Sequence, residues 1–600
     1  MSTAPAFPTV LPAPADEAAT APTDEAAPAL TDAFAGPRTV RAADRVVEVL
    51  RAHGVRWVFG VPGAKIDPVF DALAAVQGVS GAPQLITCRT EQNAVFMAAA
   101  IGRLTGIPGV VLVTSGPGTA NLATGLLTAT TEGDPVVAIC GAVSRTQHLK
   151  RTHQAMDAVG MLQTVTVSAC EVTAADNVAE AVVNAFRAAT REPRGAAAVV
   201  LPYDVSTATT GIGFRDPIVP AIAGPAATAS VDRAADLLRS ARFPVILAGS
   251  RSGAPRTVEA LHALLRATGL PVVETFQAAG IVSRELEHHY LGRVGFARNQ
   301  PGDVLLHHAD LVLTLGYDPV EFVPAEWNIG GSRRIVHLDT IAADIDNDYR
   351  PTVELVGDLA TTLEDLTRAV TAAGGMPEPD ADTARIVARE RTRLADNTDV
   401  GDPDHDDAFG LDPVAVVAGI RAALPDEASV LCDVGSNYLY MARHFRTYRP
   451  RSLMFSNGQQ TLGVALPWAI AASLAEAGDP VVSVSGDGGF LYSAVELETA
   501  VRVGADFTHI VFNDSAYDMV AFQQVEKYGR TAAVELGAYD VVAFAESFGA
   551  HGHRVTRIDD LVPTIAAALA EPGPSVIDVP VDYRDNLRRL GGDLLADVLL

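Results

Sequence analysis

The sequence predicts an α/β protein of three doubly wound domains with parallel sheets, and three observations carry that prediction. Apolar strand-like runs alternate with amphipathic helical stretches from about residue 39 to 585, the order that packs helices on both faces of parallel sheets. The alternation restarts twice, after a linker with Pro217, Pro220, Gly224 and Pro225 and after a polar stretch from Gly374 to Asp407. A chain of 600 residues is too long for one core. The third observation is a single unit. The run Val481 to Ser485 meets Gly486-Asp487-Gly488-Gly489, a helical face of Leu491, Ala494, Leu497 and Val501 follows, and a second apolar run ends in Asn513-Asp514. Strand, tight turn, helix and strand in that order form a right-handed crossover if the strands are parallel neighbours. Asp487 and Asp514, 514 − 487 = 27 positions apart, then meet at carboxyl ends of strands, where open α/β sheets bind ligands.

Taken in order, residues 1–38 are rich in Ala, Pro, Thr and acids and read as a disordered tail. The first domain, 39–215, opens with a helix marked by Val46, Val47 and Leu50. A strand follows, then the turn Val61-Pro62-Gly63, a second Gly-rich turn at Thr114 to Gly118, and a closing strand through Leu201-Pro202. A second domain spans 226–370. Its Gly249 to Gly253 loop reads as a strand-to-helix turn, because GSRSG lacks the GxGxxG spacing of a dinucleotide loop. Residues 371–407 read as a linker, 408–585 as the third domain and 586–600 as a C-terminal tail. Arg191 to Val205 and Glu571 to Tyr583 share the order Glu-Pro, apolar strand, Pro, Asp. That echo fits either a duplication, whose halves would form one composite site, or the common way an α/β domain ends.

The formal net charge of −27 argues against nucleic acid or an anionic membrane as partner. It also means that an anionic substrate needs local positive charge. Cys88, Cys140, Cys170 and Cys432 form no CxxC pair and read as buried free thiols of a reducing compartment. No apolar run reaches membrane-spanning length, which leads to the expectation of a soluble, cytoplasmic protein.

Two carboxylates beside glycines suit Mg2+ carrying a diphosphate, although GDG alone also marks an ordinary turn. Glu91, on the first turn of a helix in LITCRTEQNAVFMAAAIGRLTG, reads either as a favourable charge at a helix N-terminus or as an acid serving a bound cofactor.

The segments VFGVPGAKIDPVFDAL, GVVLVTSGPGTANLATGLLTATTEGDPVV, RNQPGD, SNGQQTLGVALPWAI, SVSGDGGFLYSAVELETAVR and NDSAYDMVAFQQVEKYGR together resemble the thiamine diphosphate enzymes. Within them the chain looks like the acetolactate synthases, and closest to their catabolic, FAD-independent branch. The resemblance implies pyrimidine-binding, central and diphosphate-binding domains in that order. It implies Asp487, Asp514 and the Ala516 carbonyl as Mg2+ ligands. Pro62, Gly63, Gly116, Gly435, Ser436, Asn437, Gln460, Leu462, Gly486, Gly488, Gly489 and Tyr517 would contact thiamine diphosphate. Glu91 would activate the cofactor through its aminopyrimidine, while Lys65, Gln154 and Gln523 would face substrate. Leu462 would be an apolar wedge under the cofactor, against the plainer reading of a core leucine. One pyruvate would lose CO2 and its two-carbon remainder would join a second pyruvate to give 2-acetolactate.

Gln523, where relatives that prefer 2-ketobutyrate carry Trp, implies pyruvate as acceptor. Tyr317-Asp318-Pro319, in place of an RFDDR-like run, implies no functional FAD. The resemblance also implies a homodimer or homotetramer with active sites at the subunit interface. One departure is Thr90, where relatives usually have His before the catalytic Glu. Another thiamine diphosphate 2-oxo acid decarboxylase or oxidase, and a catalytically idle cofactor-binding protein, are the alternatives.

Overall fold

The computed structural model describes residues 39–213, 223–295, 300–398, 401, 405–476 and 478–591. The expected N-terminal tail, Pro217 and Pro220, and Arg298 and Asn299 of RNQPGD lie outside the described residues.

Three six-stranded sheets, each parallel throughout, organise the chain. A short antiparallel pair, β1 (Val40–Arg41) with β8 (Thr209–Thr210), ties the two ends of the first unit together. Between them lie β2 (Trp57–Val61), β3 (Gln84–Thr87), β4 (Gly109–Val113), β5 (Val136–Ala142), β6 (Ser168–Glu171) and β7 (Ala196–Pro202), in the order β3-β2-β4-β5-β7-β6. The central sheet has β9 (Pro244–Ala248), β10 (Val272–Glu274), β11 (Tyr290–Arg293), β12 (Leu311–Leu315), β13 (Arg334–Asp339) and β14 (Val353–Val356), ordered β11-β10-β9-β12-β13-β14. The last contains β15 (Ser429–Cys432), β16 (Leu453–Phe455), β17 (Val481–Gly486), β18 (Phe507–Asn513), β19 (His551–Arg554) and β20 (Pro574–Pro580), ordered β16-β15-β17-β18-β20-β19. The inner strands are apolar on both faces because helices cover both.

Renumbering strands within each sheet gives 2-1-3-4-6-5 for the first and third and 3-2-1-4-5-6 for the central one. The echo between the chain's two closing strands therefore extends to whole-sheet topology, while the central unit is built differently. Next to its first strand each order reverses direction, and there the strand ends open a crevice. The reversals fall between β2 and β4, between β9 and β12, and between β15 and β17.

The first and third units share one hydrophobic core. The helix Glu91–Thr105 buries Ala94, Ala98 and Ile101 and packs against the helix Ala465–Ala475, which is apolar all round and fully buried along most of its length.

Several expectations need correction. The segment 371–407 carries an 18-residue helix, Ala381–Thr398. It packs on β11 and the Pro301–His308 helix through Ile386, Val387 and Leu394, a stripe hidden among charged residues. The chain is still structured past 586: Asn586 and Leu590 are buried and Arg589 pairs with Asp412 at 2.7 Å. The crossover after Asp487 is two short helices, Asp487–Ser493 and Leu497–Val503, broken at Ser493 (φ −132°, ψ 0°). That break leaves Leu491 45% exposed while Ala494 and Leu497 are buried. Cys88, Cys140 and Cys432 are buried free thiols, but Cys170 is exposed, because it lies on the edge strand β6.

Candidate active site

In the third sheet, Asp433 to Asn437 follow β15, Ser456 to Leu462 follow β16, Asp487 follows β17 and Asp514 follows β18. They converge at the reversal point on a cavity of about 250 Å3 lined by Gly435, Ser436, Asn437, Gln460, Leu462, Gly486, Asp487, Gly488, Gly489, Asp514, Ala516, Tyr517 and Gln523. Every sequence-predicted residue of this domain is on that wall.

The two acids are physically linked, since the Asp487 carboxylate accepts from the Ser515 backbone N–H. Ser515 has φ 58°, and Gln460 and Gln154 are also at positive φ, 48° and 63°. Non-glycine residues held in that region cluster where function demands a fixed backbone. Burial lifts the Asp487 carboxyl to about 6. Burial, with Asp518 and Asp487 facing it, lifts Asp514 to about 8. This is a pocket of acceptors that resist carrying negative charge together.

Several side chains differ in role from what their identity suggests. The Ser436 hydroxyl donates to Asp518, and the Asn437 amide donates to the Asp433 carbonyl at 2.9 Å. What these two offer the cavity is therefore the start of the helix Ser436–His444, a natural anion site. A Cβ on Gly488 would sit 2.5 Å from the Tyr517 ring, so this glycine makes room for that ring, and its N–H already donates to Asp487 Oδ1 at 2.8 Å. Leu462 is only half-buried, so it projects from a loop instead of filling a core. That loop is anchored by Asp433, whose fully buried carboxylate accepts from the Gly463 N–H with both oxygens at 2.9 and 3.0 Å.

The first-domain candidates gather at the corresponding strand ends. Pro62, Gly63 and Lys65 follow β2, Glu91 follows β3, and Gly116 follows β4. A Cβ on Gly63 would lie 2.6 Å from Thr114, and one on Gly116 would lie 3.0 Å from Gln154. Glu91 Oε2 accepts from Asn121 Nδ2 at 2.9 Å, and its other oxygen lies 3.4 Å from where a Gly118 Cβ would stand. Thr90 caps the helix that begins at Glu91, accepting from the Asn93 N–H. None of these residues lines the Asp487–Asp514 cavity. The candidates thus fall into two groups on two sheets of like topology.

Models of the thiamine pyrophosphate enzyme N-terminal binding, central and C-terminal binding domains match residues 40–161, 231–366 and 433–579. Over 555 residues the chain is 50% identical to the acetolactate synthase of Bacillus subtilis (strain 168), covering 91% of this chain and 94% of that one. This chain belongs to the acetolactate synthase family. It is 43% identical over 562 residues to the catabolic acetolactate synthase of Raoultella terrigena (93% and 98% covered), and 29% identical over 555 to the isozyme 2 large subunit of Escherichia coli K12 (91% and 97% covered).

One orphaned group in the third-domain cavity suits the diphosphate end of thiamine diphosphate. Tyr583, 8% exposed and stacked on Tyr440 at 5.9 Å, lines the cavity with a buried hydroxyl that has no hydrogen-bond partner. Burial and the nearby Asp514 and Asp518 push its pKa up, so it stays a neutral donor. A donor so placed, beside paired carboxylates and a helix start, matches a diphosphate held through a hard cation. Among the described residues no three His, Cys, Asp or Glu side chains group as a metal site.

Sequence reading missed Asp433, Asp518 and Tyr583 as candidate groups of this site. The cavity wall or the neighbouring turns reveal them only once the chain is folded.

Proposed function

We propose that this acetolactate synthase family member uses pyruvate as both donor and acceptor and releases 2-acetolactate and CO2, with Mg2+ as its metal and without flavin. The convergence of Asp487 and Asp514 with Gly435 to Asn437, Gln460 and Leu462 on one cavity carries this reading. Thiamine diphosphate, when bound, supplies the electron sink that lets a 2-oxo acid lose CO2 and its remainder add to a second carbonyl. Asp487, Asp514 and the Ala516 carbonyl hold the cation. Gly435, Ser436 and Asn437 present their helix start to the diphosphate, and Tyr583 donates its free hydroxyl. Leu462 and Gln460, on a loop fixed by Asp433, shape the wall next to them.

Glu91 holds or passes a proton at its carboxyl, steadied by Asn121. Because its half-site and the Asp487 cavity are separate within one chain, a second copy completes each site, which supports a dimer or tetramer. Gln523, exposed at the cavity rim, leaves room for a small acceptor. Lys150 and Arg151, which line a second cavity with Gln154, and Lys65 outside it give local positive charge within a chain of net charge −27. The absence of flavin rests on Tyr317-Asp318-Pro319 standing in the central crevice in place of an RFDDR-like run. Arg251 is tied down on its wall, bonded to both oxygens of Asp339 at 2.9 and 3.1 Å, to Asp318 at 2.8 Å and to the Tyr317 carbonyl at 2.6 Å, beside a cavity of about 240 Å3. Among the described residues no helix is long and apolar enough to cross a membrane.

The test is turnover of pyruvate with thiamine diphosphate and Mg2+, with and without FAD, reading acetolactate as acid-converted acetoin. Light scattering under assay conditions reads the assembly. Equal rates without FAD from a dimer or tetramer support the reading; acetaldehyde or peroxide as product, or bound stoichiometric flavin, overturns it.

A further inference from the structure

Glu496 belongs to the third domain, yet most of what it binds belongs to the first. It ends a single 3-10 turn, Ala494–Glu496, between the two crossover helices and is 0% exposed. Its Oε1 accepts from the backbone N–H groups of Arg89 and Thr90, both at 3.0 Å, and from Asn93 Nδ2 at 3.2 Å. Its Oε2 accepts from the Arg89 N–H at 3.2 Å and from Thr499 Oγ1 at 2.6 Å. Two neighbours grip the same turn: Glu498 pairs with Arg89 at 3.3 Å, and the Arg502 guanidinium donates to the Thr87 carbonyl. The next residue after this turn is Glu91.

A buried carboxylate needs its acceptor capacity filled, and here the backbone donors are the N–H groups of Arg89 and Thr90, the two residues leading into a helix. Thr90 is held twice, by its N–H on Glu496 and by its hydroxyl on the Asn93 N–H. We propose that Glu496 is a positioning residue for Glu91. It fixes the strand-to-helix turn from which Glu91 projects, so that the Glu91 carboxyl stands in one place on the rim of the first sheet. The crossover that begins with Asp487 thereby also sets the acid that serves the other half-site. The inference rests on the reading of Glu91 as the cofactor-activating acid.

The holoenzyme, loaded with thiamine diphosphate and Mg2+, tests it through the exchange of the cofactor's C2 proton with D2O, read by rapid quench and NMR. Glu91→Gln is the reference and slows exchange by on the order of 100-fold. Glu496→Ala slows it by about tenfold or more, while thiamine diphosphate affinity and oligomer size stay as in the parent. Glu496→Gln, which keeps an oxygen for the Arg89 and Thr90 N–H groups, restores most of the rate. Glu496→Asp, one methylene short, folds more readily than the alanine variant and falls between the two, so it decides the matter if Glu496→Ala does not fold. Unchanged exchange in Glu496→Ala or Glu496→Asp beside a slow Glu91→Gln overturns the positioning role alone. Unchanged exchange in Glu91→Gln overturns the reading of Glu91, and this inference with it.

Discussion

Asp487 and Glu91 are both carboxylates set just past the ends of parallel strands, in sheets with the same strand order, yet their surroundings are opposite. Asp487 is 1% exposed, faces Asp514 across a closed wall and has its carboxyl lifted to about 6, while Asp514 is lifted to about 8. Glu91 is half-buried, leans on one amide and stands in front of a turn gripped from behind by Glu496. The Asp487 side stores repulsion that a bound cation would relieve; the Glu91 side has little charge to relieve and is fixed by hydrogen bonds. Half-sites of common topology have divided the labour, and the difference predicts which perturbations depend on charge and which on geometry.

The largest effect belongs to the loaded half. If Asp514 is the cation ligand proposed, Asp514→Asn lowers Mg2+ affinity by more than about 100-fold, beyond the usual loss for an outer-shell partner. Because it also removes repulsion, the metal-free variant melts no lower than the parent. Titration calorimetry for Mg2+ with thiamine diphosphate, beside differential scanning fluorimetry of the metal-free protein, checks both signs. A variant that keeps the metal, or that loses stability when metal-free, breaks the comparison.

The pH dependence follows from the same charges. In the metal-free protein both folded carboxyls lie above the unfolded value of about 3.9, at about 6 and about 8. Groups raised in this way contribute stability that is complete below the unfolded value and is lost as pH rises through the folded ones. Metal-free stability therefore declines between about pH 4 and pH 8, and the stabilisation on adding Mg2+ with thiamine diphosphate is larger at pH 8 than at pH 6. A melting-temperature gain that is flat across this range sinks the claim.

The loaded half was also the more legible in sequence. Asp487, Asp514 and the glycines sit on one crossover, so apolar runs and a 27-residue spacing were enough to bring them together. Glu496 lies 496 − 90 = 406 positions from Thr90, and no local pattern ties it there. Tyr583 follows a strand that reads only as the end of a domain. The helix Ala381–Thr398 hid for a related reason, since its few buried positions are outnumbered by charges that mimic a linker. Spacing along one element survives in sequence; contacts made by tertiary packing do not.

Tyr583→Phe sharpens the contrast at smaller scale. Deleting a hydroxyl without a partner costs the metal-free protein nothing and can stabilise it, because a buried unsatisfied donor is unfavourable. In the loaded protein that hydroxyl would have the diphosphate to donate to, and losing such a bond would weaken thiamine diphosphate binding by about tenfold, the equivalent of ~1.4 kcal/mol. Equal loss of stability with and without cofactor would mean the hydroxyl is bonded to water in both states.

The smallest effect is expected at Thr90, in the half fixed by geometry. Its hydroxyl caps the Glu91–Thr105 helix, and removing such a cap costs about 1 kcal/mol. Thr90→Ser keeps the oxygen and should melt with the parent. Thr90→His gives up the cap while the Thr90 N–H remains on Glu496, so the turn stays in place and the melting temperature falls by a few degrees at most. If the turn is what matters, the pH profile of kcat is the same in all three proteins, since no titrating group at this position takes part. A new limb near the ordinary histidine pKa of about 6.5 in Thr90→His alone would show that position 90 reaches the proton chemistry of Glu91, and that the two half-sites differ less than their charges suggest.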